Sequence, residues 1–245
     1  MQDKSGNPAL RESVLDRVAS LESTDSASIG GTTIKIFTLL SLSVIGGFFG
    51  WQAMANASGA TGFLIIGASL FALIMALTTV FKPQFAAVTG SLYALSQGYV
   101  LGAISQTYNA ALDGIVIQAI GLTGAILFVS LWAFSLGLIK VTHKFRIGVI
   151  IATASIALYY VFAFIIGLFG GTAPLIFDSG TWGIVFSAVI IFVATLNLIL
   201  DYDFIQTIVK RGAPKKMEWY AAFALIVTLL WLYIEVLRLL SKTRQ

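Results

Sequence analysis

Long uncharged, apolar runs dominate this chain. No Asp, Glu, Lys or Arg occurs between Lys35 and Lys82, between Lys82 and Asp113, or between Arg146 and Asp178. A helix needs about 20 predominantly apolar residues to cross the hydrocarbon core of a bilayer, and each run is long enough for at least one crossing. The pattern predicts seven spans: 33–54, 61–81, 83–105, 114–138, 147–168, 181–201 and 219–240.

These spans predict an all-α fold, a polytopic seven-transmembrane helix bundle. We expect two parts, a polar cytoplasmic tail over residues 1–32 and a transmembrane domain over residues 33–245. Within the tail, residues 8–22 carry apolar positions at helical spacing, so a short amphipathic helix and a flexible segment remain alternatives. No basic stretch leads into an apolar run there, so a cleaved signal peptide is not expected.

The composition supports a membrane protein and removes several kinds of chemistry. Hydrophobic residues make up 58% of the chain and charged residues 11%, with a mean hydropathy of +0.93. A soluble domain carries about 25% charged residues. The chain has no Cys, which excludes disulfides and thiolate metal sites, and the single His143 cannot build a His-rich metal site.

Basic residues are concentrated in alternate connections between the spans. They lie at Lys82, in residues 140–146 and in residues 210–216, whereas the connections between carry only Asp113 and Asp178. The positive-inside rule therefore predicts a cytoplasmic N-terminus. We expect a multi-pass protein of the cell's inner (plasma) membrane. The net charge of +4 reflects this pattern and does not indicate nucleic acid. Seven spans place the C-terminus outside, which conflicts with three basic residues near it: Arg238, Lys242 and Arg244. We expect the three concordant loops to outweigh them, and a seventh helix that does not cross fully is the alternative.

An acidic residue closes the predicted sixth span. A carboxylate near hydrocarbon is costly, so Asp201 is the first candidate for a functional group. Asn197 lies one turn earlier on the same helix face, and together they offer oxygens to a cation or a proton. Tightly held calcium needs six to eight oxygens, so we expect weak, transient binding at Asp201. Asp203 points to another face and is expected to be an ordinary interface carboxylate.

Further polar residues in or beside the spans are secondary candidates. We expect Lys82 at the cytoplasmic level of Asp201, where a pair broken by protonation would act as a gate; a lysine that snorkels to the headgroups is the alternative. Glu235 and Arg238 can pair at i,i+3, with a structural role expected and a role in an outer mouth as the alternative. Gln97, in mid-span, is expected to bond to another helix or line a cavity.

The third span carries small residues every four positions, at Gly90, Ala94, Gly98 and Gly102. This spacing predicts a face on which a neighbouring helix backbone comes close. Whether that helix belongs to this chain or to another copy is open.

Catalytic motifs are missing from the sequence. It holds no Ser, His and Asp set, no HExxH or GxSxG motif, and no glycine loop for phosphate leading into a helix. We therefore expect no enzymatic activity and no cofactor, apart from transient calcium.

Three segments together resemble the bacterial branch of the Bax inhibitor (transmembrane Bax inhibitor motif) family. They are YALSQGYVLGAIS in the third span, LILDYDFIQ at the end of the sixth, and EWYAAFALIVTLLWLYIEVLRLLS as the last. The resemblance covers most of the chain after residue 33. It implies six helices around a central seventh, and a proton-sensitive leak of cations, notably calcium.

The resemblance also implies roles for individual residues. In the family, one aspartate from each of the last two helices shares a proton, and a basic residue of the second helix latches one of them. Carried over, Asp201 matches the sixth-helix aspartate and Lys82 is the nearest cation for the latch. Thr228 stands at the seventh-helix acid position. It can hydrogen-bond Asp201 but cannot titrate, so the proton-sharing pair is incomplete.

Two function hypotheses follow. The first is a pH-sensitive calcium or cation leak channel in the lipid bilayer. The second is a membrane regulator that transports nothing and binds another membrane protein, such as a membrane-bound protease. Calcium flux in liposomes separates them.

Overall fold

A computed structural model describes residues 26–57, 59–171, 175–176 and 178–244. The amphipathic segment considered for residues 8–22 lies outside them. Within the described residues the chain forms seven long helices, which confirms the all-α prediction. They are α1 (Ile29–Ala55), α2 (Thr61–Phe81), α3 (Ala86–Ala111), α4 (Ile115–Ser135), α5 (His143–Leu168), α6 (Thr181–Lys210) and α7 (Met217–Thr243), with a 3-10 turn over Pro83–Phe85 before α3.

Several helix ends differ from the predicted spans, and two of these differences have a clear physical reason. Helix α1 begins at Ile29, before the predicted start at 33, because the Ser28 hydroxyl accepts a hydrogen bond from the Gly31 N–H and caps the first turn. Helix α6 continues nine residues past Asp201 to Lys210. The helix therefore extends beyond the predicted end of the sixth span at Asp201. Buried apolar residues continue beyond it and keep the helix packed: Tyr202, Ile205 and Ile208.

Six of the seven helices are long and apolar enough to cross a membrane. The exception is α3, in which Gly, Ser, Thr, Gln and Asn occupy many positions. It nevertheless carries no charged residue and runs for 26 residues, long enough for a crossing at about 1.5 Å per residue. Its crossing of the membrane remains a prediction from length and neighbours.

The last helix is the centre of the bundle. Helix α7 contacts α1, α3, α4 and α6, and 50% of its most apolar 18-residue stretch is buried inside the bundle. This confirms the prediction of a central seventh helix. Helix α5 is the opposite case, with Val149 as its one buried residue. Large apolar side chains stay exposed on the outer helices, as expected of surfaces that face lipid.

Helices α1 and α3 pack at backbone contact. A Cβ on Gly98 would lie 2.7 Å from the Cα of Ser43, and a Cβ on Gly102 would lie 2.6 Å from the Cα of Gly47. Real Cβ atoms do not approach so closely, so only glycine fits at these positions. Helix α1 contributes a matching pair four residues apart, Gly46 and Gly50. The small-residue face of α3 thus meets a helix of the same chain.

Side chains and backbone groups tie the helix ends together. We call the end with Lys82, Arg146 and the loop 210–216 the basic end. There the Ala27 N–H donates to the Ala213 carbonyl oxygen at 2.7 Å, so the segment before α1 is fastened to the α6–α7 loop. We call the other the opposite end.

The three basic residues that conflict with the positive-inside pattern are all engaged by protein atoms at or near the opposite end. Arg238 pairs with Glu235 at 3.0 Å. Lys242 donates to backbone carbonyls, and Arg244 donates to the Asp113 carbonyl oxygen at 3.1 Å. Of the three, Arg238 alone is paired with an acid among the described residues, so Lys242 and Arg244 keep their positive charges and the conflict with the positive-inside pattern stands.

Candidate functional site

Asp201 of α6 and Thr228 of α7 meet inside the bundle. The Thr228 side chain lies in hydrogen-bonding contact with the Asp201 carboxylate, and it can also donate to the Ala224 carbonyl oxygen at 3.3 Å. The Asp201 Oδ2 atom is buried and accepts no hydrogen bond from any residue that the structure describes. An unsatisfied buried acceptor costs about 1–3 kcal/mol, more when charged. Asp201 therefore has an open position for a proton or a cation.

This contact lies deep in the bundle. Asp201 is nine residues from the end of α6, or about 13 Å, and Thr228 is eleven residues from the start of α7, or about 16 Å. Helix α6 has 30 residues, about 45 Å, so it is longer than the hydrocarbon core of about 30 Å and its end does not mark the membrane edge. Asp203, two residues beyond Asp201, pairs with Arg146, so Asp201 is buried within the bundle on the side of the basic end. Ionisable groups at such depth are costly and are usually functional.

Asn197 joins α6 to α5 one turn from Asp201, on the side of the opposite end. Its side-chain amide donates to the Thr153 hydroxyl at 2.7 Å and to the Val193 carbonyl oxygen at 2.9 Å. Both amide protons are used, so Asn197 can offer only its carbonyl oxygen to a cation.

Lys82 does not pair with Asp201 among the described residues. It is exposed at the end of α2, beside a shallow groove formed with Ile74, Leu77, Thr78 and Phe81. The expected pairing assumed that Asp201 ends its helix, whereas α6 continues nine residues further. The arrangement is that of a snorkelling lysine, and the latch stays a prediction.

Asp203 has a separate partner. Its carboxylate accepts a hydrogen bond from Arg146 of α5 at 2.7 Å, with the two side chains 24% and 52% exposed. The different direction from Asp201 agrees with the angle expected for residues two apart on a helix. An exposed pair of this kind contributes about 0–1 kcal/mol.

A second buried acid lies in the half of α7 toward the opposite end. Glu235 is 1% exposed and accepts hydrogen bonds from Tyr160 of α5 at 2.7 Å, from Trp231 at 3.3 Å and from Arg238 at 3.0 and 3.1 Å. Arg238 also donates to the Tyr160 hydroxyl at 2.7 Å and lies over its ring. The predicted Glu235–Arg238 pair is formed, and Tyr160 completes it.

Gln97 is half-buried on α3, next to Gly98 and the close contact with α1. In the described part of the chain, no hydrogen bond joins its side chain to Asp201. It remains a candidate for lining a cavity.

One cluster at the basic end is not among the sites predicted from the sequence. Glu218, in the first turn of α7, is fully buried and forms an ion pair with Lys35 of α1. Ser28 donates to the same carboxylate from its N–H at 2.7 Å and its hydroxyl at 3.1 Å. The available signal was the position of Lys35 as the one charged residue in the predicted first span.

Lys242, near the end of α7, forms a second polar cluster that was not predicted from the sequence. Its ammonium group is buried and donates to the Leu175 carbonyl oxygen at 2.7 Å, the Gly183 carbonyl oxygen at 2.9 Å and the Ser187 hydroxyl at 3.0 Å. All three of its protons are used. Lys242 thereby fastens α7 to the start of α6.

Acidic residues, His and Cys do not gather into a group of three or more anywhere in the described residues. Asp201 with Thr228 therefore offers far fewer than the six to eight oxygens of a tight calcium site. Weak, transient cation binding at Asp201 stays a prediction.

The chain is therefore a polytopic helical membrane protein with a central last helix and a buried acid beside that helix. The family model described as Bax inhibitor 1 like matches residues 7–245, nearly the whole chain, and the chain belongs to this family. No curated protein and no solved structure matches it.

Proposed function

We propose that this membrane protein is a passive leak pathway for cations, calcium among them, and that Asp201 is the acidic group in the path. The observation that carries the proposal is the Oδ2 atom of Asp201, which is buried inside the helix bundle and has no hydrogen-bond partner among the described residues. A group placed at such cost and left unsatisfied is best explained by a ligand that comes and goes. Family membership and the earlier resemblance support the same reading.

The small number of oxygen ligands at Asp201 favours passage of a cation over its tight binding. One carboxylate and one hydroxyl replace only a small part of the hydration shell of a divalent ion, so the ion stays weakly bound and leaves readily. Protonation of Asp201 removes the charge and weakens this contact, which links conduction to pH. Because Thr228 cannot titrate, we expect a shallow pH dependence.

The proposal includes an orientation and a compartment. The basic end faces the cytoplasm, as the basic loops indicate, and the protein resides in the inner membrane as a transport protein with no enzymatic step. Its ligands are lipid, calcium and protons.

Calcium flux in liposomes tests the role of Asp201. The purified protein is reconstituted in liposomes that enclose a calcium-sensitive dye. Calcium is added outside at several pH values, and the change in dye signal measures the flux. Asp201→Asn keeps the shape and removes the charge, so we expect a several-fold lower flux with little pH dependence. Asp203→Asn is the matched control, since it makes the same change on a face paired with Arg146, and its flux is expected to remain near wild type.

Two results would count against the proposal in different ways. Equal flux in wild type and Asp201→Asn at every pH removes Asp201 from the path. No flux from the wild-type protein at any pH favours the alternative, a regulator that binds another membrane protein.

A further inference from the structure

The three residues before α1 form a short strap across the basic end, and we call residues 26–28 the strap. Ser26 forms an antiparallel bridge with Pro214, and the Ala27 N–H donates to the Ala213 carbonyl oxygen at 2.7 Å. Side chains alternate along an extended chain, and here Ala27 is buried between two exposed serines. The strap therefore turns one methyl group into the bundle beside the α6–α7 loop.

A buried apolar layer separates Asp201 from the basic end along the α6–α7 interface. On α6, Ile205 and Ile208 follow Asp201 by four and seven residues, so they share its helix face and extend about 10 Å beyond it. Both are buried, at 8% and 6% exposed. An apolar constriction of this kind excludes water and ions.

Helix α7 and the strap supply the rest of this layer. Leu225 and Ala221 precede Thr228 by three and seven residues, so they share its helix face, and both are buried. Ala27 belongs to the same buried cluster as these two residues and the two isoleucines of α6. We call these five residues the seal. Ala27 is its one member outside the long helices.

Ser28 anchors the strap where it joins α1. Its N–H and hydroxyl donate to Glu218 at 2.7 and 3.1 Å, and its hydroxyl accepts from the Gly31 N–H. Lys35 forms an ion pair with the same carboxylate and holds it in place. Ala27 has no polar side chain, so a backbone hydrogen bond and a buried methyl group hold it to the bundle. The strap can therefore lift while Ser28 stays bound.

We propose that the strap is a gate on the basic side of Asp201. In the closed state Ala27 completes the seal and ties the loop after α6 to the segment before α1. When Ser26 and Ala27 lift about Ser28, the seal loses one wall and the end of α6 loses this tie. Water and cations then enter the α6–α7 interface from the basic end. This inference rests on the proposed leak function.

A disulfide tests whether the strap must lift. The chain has no Cys, and residues paired across an antiparallel bridge have Cα atoms about 4.5–5.5 Å apart, within disulfide range. In the double variant Ser26→Cys with Pro214→Cys, a disulfide confirmed by mass spectrometry locks the strap. We expect calcium flux in liposomes to fall several-fold on oxidation and to recover on reduction. The two single variants are the controls, and oxidation should leave their flux unchanged. Equal flux in the oxidised and reduced double variant overturns the gate.

A charge on the strap tests the opposite change. In Ala27→Asp a carboxylate replaces the buried methyl group and favours the lifted strap, because an unpaired charge is costly in an apolar layer. We expect flux to rise several-fold. Ser26→Asp is the matched control, since it adds the same charge one residue away at an exposed position, and its flux is expected to stay near wild type. If both variants conduct equally, Ala27 does not close the path.

Thiol labelling tests the closure without relying on flux. Ala221→Cys, inside the seal, is exposed to a small water-soluble thiol reagent in detergent micelles, with either Ala27 or Ala27→Asp in the strap. We expect the reaction to be several-fold faster with Ala27→Asp. Ala194→Cys is the control, because Ala194 is equally buried and lies seven residues before Asp201, on the far side from the strap. Its rate should not change. The same rate for Ala221→Cys in both backgrounds would show that the strap does not cover this interface.

The two proposals fail separately. A flux that depends on Asp201 but ignores the disulfide and Ala27→Asp removes the gate and leaves the leak function. Absence of wild-type flux removes the leak function and, with it, the role of the strap as its gate.

Discussion

Glu218, at the start of the central helix, forms a buried ion pair with Lys35 of α1, a residue 183 positions earlier in the chain. Ser28 donates to the same carboxylate and also caps α1. Lys35 further lies over the Trp219 ring, 5.6 Å from its centroid. This cluster fixes how the first helix meets the last one at the basic end.

The two members of this pair should differ in their effect on stability. Lys35→Met leaves a fully buried carboxylate without a cation, and we expect a loss of about 3–5 kcal/mol. Glu218→Gln should cost less, about 2–3 kcal/mol, because Lys35 is 14% exposed and can turn toward water. Thermal unfolding in detergent micelles measures the stability of both variants. Arg146→Met is the control at an exposed pair, expected below about 1 kcal/mol; a reversed order of the first two variants would contradict the assignment.

The glycine contact between α1 and α3 predicts a strong effect of a single methyl group. Gly98→Ala would push a Cβ into the α1 backbone at Ser43, and we expect a cost of about 1–3 kcal/mol or more from overpacking. Gly121→Ala on α4 is the control, since nothing lies within 4 Å of its Cβ position, and alanine there should be neutral or slightly stabilising. The melting temperatures of the two variants test this prediction. Equal melting temperatures would show that α1 and α3 can move apart without a loss of stability.

The span positions were predictable because the bilayer imposes length and lack of charge. The segment predicted at 61–81 is the observed helix Thr61–Phe81. Two acids so close together indicate a membrane edge at Asp201 and Asp203, whereas α6 continues to Lys210. Asp203 is satisfied by Arg146 and Asp201 meets Thr228 inside the bundle, so neither needs to end the helix.

The pairing of helices was harder to predict from the sequence. In lipid the outer surface is as apolar as the core, so hydrophobic periodicity does not show which face is buried. The Asp201–Thr228 contact was expected only through the family resemblance, and the structure brings the two residues together. The link from Tyr160 to Glu235 joins residues 75 positions apart, and no local pattern indicates it.

Lys242 should be important for the opposite end of the bundle. Lys242→Met keeps the aliphatic length but leaves the Leu175 and Gly183 carbonyls and the Ser187 hydroxyl without their donor. We expect a loss of about 1–3 kcal/mol in thermal unfolding. Lys144→Met, at an exposed position of α5, is the control and should be near neutral. If both variants melt like wild type, Lys242 is not a fastening between α6 and α7.

The orientation can be tested with single engineered cysteines. We expect Lys216→Cys, in the loop at the basic end, to react with an impermeant thiol reagent only after the cells are opened. Asp113→Cys, at the opposite end, should react in intact cells. Both positions are exposed on the protein surface, so the side of the membrane on which each residue lies determines whether it reacts. Labelling of Lys216→Cys from outside would reverse the orientation.

A second acid beside Asp201 should sharpen the response to pH. In Thr228→Asp a new carboxylate contacts Asp201, and two close acids cannot both ionise cheaply, so they share a proton until the pH rises. We expect calcium flux to change more steeply with pH than in wild type, measured in liposomes from acidic to neutral pH. Thr228→Asn has nearly the same shape without a titrating group, and its profile should keep the shallow wild-type slope. If the Asp and Asn variants gave the same profile, the contact between residues 201 and 228 would not control conduction.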